Sequence, residues 1–103
     1  ILEKQKPRKV IEAAFETAFS TGLFDRDDIK VRLNPYKYSL VQSGEADFIH
    51  VFGNIMQGRT EDQKAELSDA IVATLKTLFP EVPIISMNIR DFEIASYCNK
   101  TMI

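Results

Sequence analysis

The chain predicts an α+β domain: a tandem β-α-β repeat (β-α-β-β-α-β), with a four-stranded mixed sheet and two helices on one sheet face. Three observations predict it. Apolar residues switch along the chain between helical spacing and strict alternation. The segment from Asp47 to Met56 is a long strand that is mostly apolar on both sides. Finally, "TGLFDRDDIKVRLN" and "KTLFPEVPIISMNI" each place Leu-Phe at a helix end, then a short loop and an apolar strand. The two Leu-Phe pairs lie 55 positions apart, which marks an internal repeat.

Taken in order, Ile1 to Gln5 reads as the end of a first strand. Pro7 suits the first helical turn, where its missing N–H costs nothing. Val10, Ile11, Ala14, Phe15, Ala18 and Phe19 form a core-facing helical stripe, and Gly22 stops the helix. Asp25 to Asp28 is a solvated, charged loop whose three carboxylates make a weak metal site. Residues 29–34 then alternate as a strand, with Ile29, Val31 and Leu33 inward and Lys30, Arg32 and Asn34 outward. Asn34-Pro35 ends that strand, and a polar, aromatic loop follows with a short extended piece at Ser39 to Val41.

In the central strand Phe48, His50, Phe52, Asn54 and Met56 share one face, and Ile49, Val51, Gly53 and Ile55 share the other. Neither face reads as solvent-facing. One is expected to lie under the protein's own helices and the other under neighbouring subunits. His50 reads as a packed, hydrogen-bonded strand residue. A tight turn at Gly58-Arg59 follows, and Thr60-x-x-Gln63 is a capping box opening a helix over Glu61 to Thr77. Leu67, Ile71, Leu75 and Leu78 mark its buried face, and Pro80 and Pro83 punctuate its exit. Ile84 to Ile89 is the last full strand. The tail "DFEIASYCNKTMI" is apolar enough to dock, with Cys98 in buried packing. Arg59, beside a positive helix N-terminus, marks a place for an anionic ligand; the alternative is a surface arginine in a turn.

Composition narrows the function classes. The chain has 103 residues, 45% hydrophobic and 27% charged, as expected of one globular domain. A net charge of −2 argues against a nucleic-acid partner. No apolar run of about 18 residues is present, so no membrane span is expected. A single cysteine fits a reducing, cytoplasmic setting, and one histidine with one cysteine argues against zinc. No cofactor is expected. Ile1 is not a natural start, so a few residues are expected upstream of it.

The order of these elements resembles the 5-carboxymethyl-2-hydroxymuconate Δ-isomerase family of the tautomerase superfamily. The resemblance runs from about Val10 onward. It rests on Thr21-Gly22-Leu23-Phe24, Phe48-Ile49-His50 and Gly58-Arg59-Thr60, with "SYCNKTMI" at the close. It implies a tautomerase-like (MIF-like) fold, a homotrimer, an amino-terminal proline as catalytic base and a small carboxylic acid substrate. A secondary amine in an apolar pocket is a free base near neutrality and can move a proton between carbons of an enol acid. Basic side chains hold the carboxylate, and the resemblance assigns that role to Lys30, Arg32 and Arg59. The proline itself is absent here, since Pro7 is an internal amide; the resemblance places it just upstream of Ile1. Lys30 stands where the family carries arginine, Asp28 where it carries glycine, and Asn34-Pro35-Tyr36 replaces a His-x-x-Asp pattern.

Two functions therefore follow. The first is a tautomerase or isomerase of a small unsaturated keto or enol acid, with Lys30, Arg32 and Arg59 converging. The second is a non-catalytic ferredoxin-like assembly or small-ligand-binding module, because the same element order fits that fold.

Overall fold

The computed structural model describes residues 5–42, 44 and 47–103. Helix α1 spans Pro7–Ser20, strand β1 Phe48–Met56, helix α2 Glu61–Leu78 and strand β2 Ile84–Phe92. Short 3-10 turns lie at Arg26–Asp28, Ile94–Ser96 and Lys100–Met102.

Helix α1 starts at its proline without a side-chain cap. Its end is closed by local bonds: the Thr21 and Gly22 N–H groups donate to the Ala18 and Phe19 carbonyls, and Gly22 takes φ 74°. A left-handed residue there turns the chain sharply away, which glycine does without a Cβ penalty. Helix α2 opens on the predicted capping box. The Gln63 N–H donates to Thr60 Oγ1 at 3.1 Å, and the Thr60 N–H donates to Gln63 Oε1 at 2.8 Å.

Strands β1 and β2 pair in parallel, in register from Phe48 opposite Ile84 to Met56 opposite Phe92. Parallel neighbours need a long crossover, and α2 supplies it. The odd-numbered residues face the helices. Ile55 joins Val10, Leu67, Ile71, Leu75 and Phe79 in the buried core, with Ile49, Val51, Ile85, Met87 and Ile89 packed against it. The helices meet partly through a hydrogen bond between the Thr17 and Thr74 hydroxyls at 2.8 Å. On the even-numbered side the sheet is open: Phe48 is 43% exposed, Phe52 72% and Ile84 44%.

Three expectations need correction. The second β-α-β unit forms, but residues 29–34 are not a strand, so the described residues hold a two-stranded sheet rather than four strands. Their alternation is nevertheless in place: Ile29, Val31 and Leu33 are half-buried, and Lys30, Arg32 and Asn34 are exposed. Alternation sets which side chains turn inward, whereas a strand also needs a neighbour to complete its ladder. No described residue pairs with this segment. The predicted first strand falls mostly on residues 1–4, outside the described residues. Second, β2 runs on to Phe92, beyond Ile89. Third, Cys98 is exposed, not buried. The tail does dock at one point, where Tyr97 stacks on Phe92 at 5.1 Å. There Gln57 Oε1 also accepts the Ile94 N–H at 2.8 Å. Of the extended piece expected at Ser39 to Val41, the structure shows only a bridge from Val41 to Gly44.

Candidate active site

The carboxyl end of β1 delivers the chain into Gln57-Gly58-Arg59. Gly58 has φ 118°, a conformation that favours glycine and folds the chain back toward α1. Arg59 is thereby brought against the exit of α1. Its Nη2 donates to the Leu23 carbonyl oxygen at 2.7 Å and its Nη1 to the Met56 carbonyl oxygen at 3.2 Å. The guanidinium lies over the Phe24 ring, 4.9 Å from its centroid. Two of five N–H donors are committed to carbonyls, and among the described residues no hydrogen bond from the others is found.

Beside this clamp is an open hollow of about 330 Å³ lined by Gly22, Leu23, Gln57, Gly58, Arg59 and Gln63. Its wall thus joins two features singled out in the sequence, the Thr-Gly-Leu-Phe helix end and the Gly-Arg-Thr turn. The first turn of α2 also carries Glu61 and Asp62, which complement the helix dipole. The Lys64 ammonium donates to Glu61 at 2.9 Å and Asp91 at 3.2 Å. Those two carboxylates, Glu61 first, raise its pKa and hold it charged. Lys64 is the cation of this region that the sequence did not single out. Its partner Asp91 sits on β2, and nothing in the order of residues announces that pairing.

Lys30 and Arg32 are exposed and do not line the hollow. Of the three predicted cations, Arg59 is the one that lines this hollow. A second cluster emerges on the open sheet face, where β1 and β2 lie side by side. His50 Nδ1 is 2.6 Å from Ser86 Oγ, and His50 Nε2 is 2.5 Å from Asn88 Oδ1. His50 is hydrogen-bonded as expected, but it is exposed rather than packed. Phe52 meets the imidazole edge-on at 4.5 Å.

These features define a small α+β domain with a basic turn and an adjoining hollow at the carboxyl end of a parallel strand. The family model of 5-carboxymethyl-2-hydroxymuconate isomerase matches residues 1–102, and the chain belongs to that family of isomerases. No curated protein matches the chain. Among the described residues no helix is long and apolar enough to cross a membrane.

Proposed function

We propose that this protein is a tautomerase that moves a proton within a small unsaturated keto or enol carboxylic acid. Membership of an isomerase family supports the reaction class. The observation that carries the site is Arg59, fixed by two carbonyl bonds at the wall of a hollow, with no other hydrogen bond from its guanidinium among the described residues. A planar guanidinium held in one orientation matches a carboxylate far better than a mobile one. In this proposal Arg59 holds the substrate carboxylate, Lys30 and Arg32 add positive charge, and the base is an amino-terminal proline. Pro7, Pro35, Pro80 and Pro83 are internal amides and cannot serve as that base. No cofactor enters the reaction, and a cytoplasmic location suits the single cysteine.

We also propose that the working form is a homotrimer. The chain exposes 8164 Å², whereas a monomer of 11.7 kDa is expected to expose about 5,900 Å². Its radius of gyration is 15.2 Å, against about 13 Å for a compact domain of this length. The excess surface includes the open sheet face, and subunit packing is the direct way to cover it.

The test uses the natural full-length protein, with its amino terminus sequenced, and follows ketonisation of phenylenolpyruvate by absorbance. A free terminal proline with catalysis above buffer, weakened in Arg59→Ala, supports the proposal. A free proline without catalysis on a panel of enol acids sinks it. The second reading, a non-catalytic small-ligand-binding module, draws on the fact that Lys30 and Arg32 stand outside the hollow. It predicts carboxylate binding without turnover.

A further inference from the structure

Two glutamines stand with Arg59 at the wall of the hollow, and each has its carboxamide oxygen already engaged. Gln57 Oε1 accepts the Ile94 N–H at 2.8 Å, while the Gln57 backbone N–H donates to the Phe92 carbonyl oxygen at 3.0 Å. Gln63 Oε1 accepts the Thr60 N–H at 2.8 Å, and the Gln63 backbone N–H donates to Thr60 Oγ1 at 3.1 Å. A backbone N–H can only donate. In both residues the atom facing it must therefore be the oxygen, and the other arm of the amide is the NH2 group. The accepting end of each side chain is spent. Among the described residues no hydrogen bond from either NH2 group is found.

The rest of the wall offers the same chemistry. The Arg59 guanidinium only donates, and the Leu23 carbonyl oxygen is already occupied by Arg59 Nη2. None of the residues lining the hollow is acidic. Glu61, the acidic residue next along the chain, is paired with Lys64. The three side chains are tied to separate stretches of backbone: the chain after β2, the cap of α2 and the exit of α1. Their orientation is thus set before a ligand arrives, and ordering them costs little on binding. Once a carboxylate sits on Arg59, the ligand's second polar group meets N–H donors. A group that only accepts is paired there. A group that donates sets N–H against N–H, and leaves both without a partner.

We infer that Gln57 and Gln63 are specificity-determining residues of this hollow. Beside the carboxylate held by Arg59, their NH2 groups select an acceptor, a carboxylate or ketone oxygen, over a hydrogen-bond donor such as an amide. This inference rests on the reading of Arg59 given above and assigns the selection to two side chains that the reading does not use.

The experiment titrates the full-length protein by calorimetry at about pH 7.5, where carboxylates are ionised. The probes are fumarate and maleate, each compared with its monoamide. Gln57→Glu and Gln63→Glu are the informative variants. Glutamate keeps an accepting oxygen for the Ile94 or Thr60 N–H and exchanges the NH2 group for a second acceptor. Thermal unfolding reports that the local bond survives, and because the anchors are separate either variant suffices. Wild type should bind at least one diacid about tenfold more tightly than its monoamide. In the glutamate variants the diacid should weaken and the monoamide should tighten. Added negative charge alone would weaken both probes, since each carries a carboxylate, so the tightening is the decisive readout. Wild type that binds diacid and monoamide equally, with both lost in Arg59→Ala, would overturn the role of the glutamines and leave Arg59 as the carboxylate holder. Glutamate variants that weaken both probes would do the same. Wild type that binds neither probe would remove the reading of Arg59 as well.

Discussion

Arg59 Nη2 and the Leu23 carbonyl oxygen, 2.7 Å apart, tie the turn after β1 to the exit of α1. The residues are 36 positions apart in sequence, and both line the hollow. Removing the guanidinium leaves two half-buried carbonyls short of a charged donor. Arg59→Ala should therefore lower stability by about 1.5–3 kcal/mol, the range for hydrogen bonds to charged groups. Urea unfolding checks this. Arg59→Lys should recover part of the stability while binding carboxylates more weakly, because an ammonium lacks the fork.

The capping box at the start of α2 is a second test. Thr60 and Gln63 satisfy each other's backbone N–H groups. Thr60→Ala should cost about 1 kcal/mol. In a domain of this size that corresponds to a fall in Tm of about 5 °C. The double variant Thr60→Ala/Gln63→Ala should cost less than the sum of the two single changes, since they remove one reciprocal unit.

Leu67, 3% exposed, is among the most covered side chains of the core. Leu67→Ala should destabilise by about 2–5 kcal/mol, through lost burial and the cavity left behind. Val10 reaches the same core from α1, so its truncation should loosen α1 against α2. Hydrogen exchange in α1 is the measurement that would show it.

Acid should release the loop after α1. Arg26 is ion-paired with Glu16 and lies over the Phe15 and Phe19 rings at 5.0 and 4.8 Å. Its hydrogen bond holds the Glu16 carboxyl below the ordinary glutamate value. A depressed carboxylate contributes stability above its unfolded value and loses it as pH falls through the folded one. Both charges are solvent-exposed, so the effect is local and salt-sensitive. Glu16→Gln should abolish the acid-side shift of the Arg26 side-chain NMR signals. An unchanged titration in the variant would dismiss the pairing.

Local chemistry made much of this molecule legible in its sequence. Pro7, Gly22, Thr60 and Gln63 each act on backbone within a few residues, so both helices and their ends follow from neighbouring residues alone. A long run apolar on both sides marked β1, and alternation marked the inward side chains of residues 29–34. The family resemblance rested on short segments whose order the chain itself carries. What lay beyond reach involves two distant segments at once. Whether residues 29–34 make a strand depends on a ladder partner, and how far β2 runs depends on its register with β1. The engagement of Arg59 by Leu23, and of His50 by Ser86 and Asn88, depends on which backbone arrives beside them. Sequence by itself determined the two helices with their ends, the cores of strands β1 and β2 and the family, because those are properties of neighbouring residues. Only the tertiary structure decided that Arg59 and the exit of α1 wall one hollow and which sheet face stays open, because those are properties of segments that meet in space.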